Sequence, residues 1–180
     1  GVDLTDFGGG GALGEISGTL DIEASGTGYV ARGPLTPAAL GVGAFDTSFD
    51  GFYRNRRVTI RSASARHGPS GTRMDTRGTV TLTDDGPLLD LAGAWSTFRW
   101  PLVGDEVAVT SARGSYTLRG TRRWQVEAQG EFAPATLPAM PFTVTGQLTP
   151  ERFDFEDAQV EPLDGMARVS GHAQWSPAEQ

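Results

Sequence analysis

Two histidines, six crowded carboxylates and seven clustered arginines are the side chains whose types and spacing bear on chemistry. His67 lies in an Arg-rich, loop-like stretch beside Gly68-Pro69, and His172 falls on the polar parity of an alternating segment. Neither position offers a catalytic base. A Ser-His-Asp set can assemble from distant segments, but no nucleophile elbow is present and the serines sit in repetitive strand-like text. The reading is therefore of a protein that is not an enzyme and has no catalytic residues. Glu151, Asp154, Glu156, Asp157, Glu161 and Asp164 could mimic a glycosidase pair or a calcium site. Their order matches neither an EF-hand loop nor a nonapeptide calcium repeat, and a solvated outer strand face accounts for them. Arg54, Arg56, Arg57, Arg61, Arg66, Arg73 and Arg77 face only Asp75 between residues 54 and 77, a local charge of +6. Planar guanidinium forks suit lipid phosphates or an acidic partner, with Arg54, Arg56, Arg57 and Arg61 the candidate contacts. The other reading is a charged sheet edge that deters pairing.

Composition narrows the class. The 180 residues suit a single domain, and the 38% apolar content with 25 Gly and 11 Pro disfavours a helical bundle. Cysteine is absent, so disulfides and thiolate metal sites are excluded, and neither metal nor cofactor is expected. A formal charge of −7 argues against nucleic acid as a partner. No run approaches the ~20 apolar residues of a membrane-spanning helix.

The elements that must position any site read as strands. Period-2 alternation recurs in Ile16-x-Gly18-x-Leu20-x-Ile22, Leu89-x-Leu91-x-Gly93-x-Trp95, Trp124-x-Val126-x-Ala128-x-Gly130-x-Phe132 and Val169-x-Gly171-x-Ala173-x-Trp175. Gln125, Glu127, Gln129 and Glu131 fill the opposite parity of the third of these, so one face meets apolar surroundings and the other meets water. Turn signals at Asp84-Asp85-Gly86-Pro87, Val103-Gly104-Asp105-Glu106, Leu148-Thr149-Pro150-Glu151 and Asp164-Gly165 predict hairpins and meanders. Thr36-Pro37-Ala38-Ala39-Leu40 carries the one helix-start signal, cut short at Gly41. Residues 1–13 read as a flexible linker, 14–177 as one repeat-built β domain and 178–180 as a tail. Glycine recurs on the apolar parity at Gly18, Gly93, Gly120, Gly130, Gly146 and Gly171, marking bends or a furrow. A spacing of about 16 residues between such sites suggests units of one strand and one turn.

The C-terminal text resembles the repeats of the TamB family, relatives of AsmA-like proteins. The matching residues are Ala94-Trp95-Ser96-Thr97-Phe98-Arg99-Trp100-Pro101-Leu102, then Gly114-Ser115-Tyr116-Thr117-Leu118-Arg119-Gly120, and above all the phrase from Leu163 to Pro177. Residues 78–177 carry the stronger match and 14–77 the weaker. The resemblance implies an all-β fold, an elongated, strongly curved antiparallel or mixed sheet. Such a sheet is U-shaped, a β-taco with an apolar concave groove. It further implies a periplasmic body anchored in the inner membrane of a Gram-negative bacterium and an outer-membrane insertase barrel of the TamA/BamA class as partner. Its functions would be phospholipid transport and outer-membrane protein, including autotransporter, assembly.

Apolar-parity residues either close a core or line a groove. A closed β-sandwich, binding a carbohydrate or protein, would cover them with a second sheet. A groove would leave Leu89, Leu91, Trp95, Tyr116, Leu118, Trp124, Val126, Phe132, Phe142, Val144, Leu148, Val169 and Trp175 open to phospholipid acyl chains. Exposed sheet edges would also permit edge-to-edge self-association.

Overall fold

The computed structural model describes residues 16–37, 41–149, 152–162 and 165–174. The first six strands are β1 (Ile16–Gly18), β2 (Asp21–Ser25), β3 (Gly28–Pro37), β4 (Phe45–Arg54), β5 (Arg57–His67) and β6 (Arg73–Thr83). The next six are β7 (Gly86–Trp100), β8 (Val109–Gly120), β9 (Trp124–Pro134), β10 (Met140–Leu148), β11 (Arg152–Val160) and β12 (Ala167–Gln174). They form one antiparallel sheet in which each strand from β3 to β12 pairs with its neighbours in sequence, while β1 and β2 lie end to end along β3. Every pairing among the described residues is antiparallel, so the sheet there is the antiparallel and not the mixed form of the expected one.

The sheet is open, and it has no second layer among the described residues. Val42, Leu102 and Met140 are the buried apolar side chains there. A closed sandwich would bury the inward residues of two facing sheets, so the sandwich alternative is overturned. What holds the molecule together is cross-strand pairing. One row of direct partners runs Ile22, Ala31, Phe49, Ala63, Thr76, Gly93, Tyr116, Ala128, Val144, Ala158 and Val169, from β2 across to β12. Another runs Thr47, Ala65, Met74, Trp95, Gly114, Gly130, Phe142, Val160 and Ala167. Alternation in sequence thus becomes an apolar face, because pairing in register stacks the same parity from strand to strand.

Two local readings are corrected. Thr36 and Pro37 end β3 in extended conformation, paired with Ser17 and Ile16, rather than opening a helix; Ala38-Ala39-Leu40 lies outside the described residues. The strand read continuously from Ile16 to Ile22 breaks at Thr19-Leu20, where the Thr19 N–H donates to the Pro34 carbonyl. Phe98 and Trp100 share the apolar parity with Trp95 because Thr97, with φ at 55°, interrupts the alternation of β7 opposite Ala112 without shifting the β7–β8 register. The linker at 1–13 and tail at 178–180 lie outside the described residues.

Candidate functional site

Register alone assembles the site. Leu89, Leu91, Trp95, Tyr116, Leu118, Trp124, Val126, Phe132, Phe142, Val144, Leu148 and Val169 stand on one face of β7 to β12. All are half-buried except Val169, which is 52% exposed on the outermost strand. Trp175 lies outside the described residues. Because the sheet has no covering layer among the described residues, the shelter of these side chains there comes from one another.

Aromatic rings provide that shelter by lying down over glycines. The Trp95 ring extends across Gly114 and on to Gly130, where an added Cβ would stand 3.1 Å from its Cζ2. Tyr116 lies over Gly93, with its hydroxyl 2.6 Å from Thr76 Oγ1. Phe155 covers Gly171, and Phe153 covers Gly146. The rings meet in turn: Trp95 stacks at 6.5 Å on Tyr116 and at 6.1 Å on Phe142, which receives Phe132 edge-on at 5.8 Å. Aromatic pairs in this range of 4.5–7 Å attract beyond simple area burial. The glycines at 93, 130, 146 and 171 are therefore beds for rings, not an empty furrow. Gly120 differs: its φ of 132° and the approach of the Arg123 carbonyl demand a residue without Cβ. Gly18 likewise abuts the Pro34 carbonyl at the break between β1 and β2.

Polar anchors hold the aromatic patch in place. Trp95 Nε1 donates to Ser111 Oγ at 2.8 Å, and that buried hydroxyl donates to the Glu131 carbonyl. Trp124 Nε1 is buried with no acceptor. On the opposite face, Arg61 pairs with Asp50, Arg73 with Asp75, Arg113 with Glu131, Arg119 with Asp90 and Arg168 with Asp157. A depression of about 850 Å³ lies on this polar side, its floor formed by small residues including Ala92, Ala94, Ser115 and Thr117. Of the arginines predicted to contact headgroups, Arg56 pairs with Asp84, Arg57 donates to Thr81 Oγ1 and Arg61 is spent on Asp50. Arg54 is exposed.

Sequence reasoning missed the most buried side chain. His67 is fully enclosed at the end of β5 rather than in a loop. Its Nδ1 accepts from the Ser70 N–H, so Nε2 carries the proton and donates to the Val42 carbonyl at 2.8 Å. Phe45 packs on the ring at 5.1 Å. Ser70 Oγ donates to Thr72 Oγ1, which in turn donates to the Thr97 carbonyl. The network ties the 41–44 and 68–72 loops to Thr97 of β7 and engages both ring nitrogens. Ala63-x-Ala65-x-His67 was the available signal, since it places the imidazole on the apolar parity. No cluster of three or more metal-ligating side chains gathers among the described residues, and no helix there is long and apolar enough to cross a membrane.

An open sheet of hairpins, one face paved with aromatics over glycine and the other laced with Arg-carboxylate pairs, is the pattern to compare with known proteins. The family model described as TamB, N-terminal domain, matches residues 70–179. The chain belongs to the TamB family. The match spans β7 to β12 with their entire aromatic patch and begins just before β6. Neither the curated proteins nor the solved structures contain a significant match to the chain.

Proposed function

We propose that the apolar face of this TamB-family chain shields phospholipid acyl chains in the periplasm, as a stretch of conduit between inner and outer membrane. The observation that carries the reading is an apolar surface spanning the sheet that the fold leaves without a cover. Each methylene laid against it and removed from water contributes about 0.8 kcal/mol. No bond is made or broken, so the work is solvation, without catalysis or cofactor. In the full-length protein this body would be anchored in the inner membrane and meet an insertase barrel of the TamA/BamA class, supporting outer-membrane biogenesis and autotransporter assembly. The wholly exposed strands β2 and β12 leave edges for further pairing, including self-association.

Tryptophan fluorescence tests the lipid reading. In variants that retain only Trp95 or only Trp124, phospholipid brominated in mid-chain should quench emission strongly, while a tryptophan-free background carrying Gln129→Trp, on the polar face, should be quenched weakly. Equal quenching at all three positions, or none, would count against an acyl chain on this face.

A further inference from the structure

The two ends of the strands are chemically unlike. In a meander the turns alternate between ends, and the β4–β5, β6–β7 and β8–β9 turns share one of them. Residues 54–57, 84–86 and 121–123 bring Arg54, Arg56, Arg57, Arg122 and Arg123 together with Asp84 and Asp85, a net +3 on a chain of −7. The loops at the other end carry Asp105, Glu106 and Glu161 and, among the described residues, no arginine. The three turns are joined into one ridge. Arg56 Nη2 donates to Asp84 Oδ1 at 3.0 Å, Arg122 Nε donates to the Asp85 carbonyl at 3.2 Å, and the Leu82 N–H donates to the Arg56 carbonyl at 2.7 Å. Arg54 and Arg123 have no acidic partner among the described residues, and Arg122 keeps both terminal nitrogens for an external acceptor.

Two further features set this ridge apart. Asn55 and Arg56 both have positive φ, 52° and 60°, so arginine occupies a turn position that favours glycine. Beside the charges, Tyr53 is 53% exposed and Leu82 44% exposed. Arginine forks flanked by tyrosine and leucine match the phosphate level and interfacial zone of a bilayer in turn.

We infer that this ridge docks the protein on the surface of an anionic phospholipid bilayer. Arg54, Arg122 and Arg123 contact headgroup phosphates while Tyr53 and Leu82 sit at the interface. The inference differs from the acyl-chain reading in that its charged contacts lie on the turns and its test reads headgroup charge, while Tyr53 and Leu82 come from the adjoining end of the apolar face. Co-sedimentation of the 180-residue chain tests it, with vesicles of phosphatidylcholine alone or mixed with phosphatidylglycerol. Binding should require phosphatidylglycerol, fall steeply at about 0.5 M salt, and weaken about tenfold in the triple variant R54Q/R122Q/R123Q. The charge-matched variant R32Q/R66Q/R113Q, altered elsewhere on the sheet, should bind within about twofold of the parent; circular dichroism verifies the fold of both. Equal weakening by the two variants would reduce the effect to net charge and overturn the proposal. So would equal binding to pure phosphatidylcholine, or displacement by millimolar inorganic phosphate, which would mark an isolated anion site in place of a membrane surface.

Discussion

Glycine and tryptophan are the two residue types on which this sheet depends most closely. Gly114 gives the Trp95 ring its bed, and an added methyl would occupy the space of Trp95 Cζ2 and Cε2. Gly114→Ala should therefore lift the ring, shift tryptophan emission and cost roughly 1–3 kcal/mol in urea denaturation. Gly26→Ala, in a turn with nothing within 4 Å of the new methyl, should stay within about 0.5 kcal/mol of the parent. His67→Ala should cost roughly 2–4 kcal/mol in the same assay, since it opens a cavity and strips the buried Val42 carbonyl of its donor. The apolar parity of Trp95, Tyr116 and Phe142 was readable from period 2 alone. That the intervening glycines are covered by those rings was not, because ring direction depends on which neighbour stands opposite. His67 went unread for a similar reason: charged neighbours in sequence masked its place beside Phe45 in space.

At the scale of elements, the strands follow from alternation, and the turn at Asp84-Asp85 follows from its residues. The bulges are what sequence does not announce. The offsets between Asp50 and Gly51 and between Ile60 and Ala63 mark one extra residue in β5, and those between Thr110 and Gly114 and between Phe155 and Ala158 mark one each in β8 and β11; each bulge resets parity and bends the sheet. The last of them places Glu156 and Asp157 at the junction with β12. There Arg168 donates two hydrogen bonds to the Asp157 carboxylate, and with help from Gln159 holds it at a pKa of about 2, below the usual 3.8. A folded-state pKa below the unfolded one means stabilisation that is complete above about pH 4 and vanishes as pH falls toward 2. Amide hydrogen exchange in β12 should accordingly quicken across that interval relative to β8, and Asp157→Asn should abolish the pH dependence of the difference. A β12 whose protection relative to β8, corrected for intrinsic exchange, is the same at pH 5 and pH 2.5 would show that the pair does not fasten it.

As a whole, the molecule is a surface more than a core. Its apolar residues are sheltered by pairing and ring stacking within one sheet, and an open apolar face is costly in water unless something apolar lies on it. The family text between Leu163 and Pro177 pointed to this architecture through its repeat phrase, while the choice between groove and sandwich needed the strand order itself. The central claim is that this face, and not its reverse, meets lipid. A photo-crosslinking residue placed at Val126, on the apolar face, and separately at Glu127, on the polar face, in the full-length protein in cells tests it directly. Phospholipid adducts at position 126 and not at 127 are the predicted result, and adducts at neither position in a folded protein would contradict it.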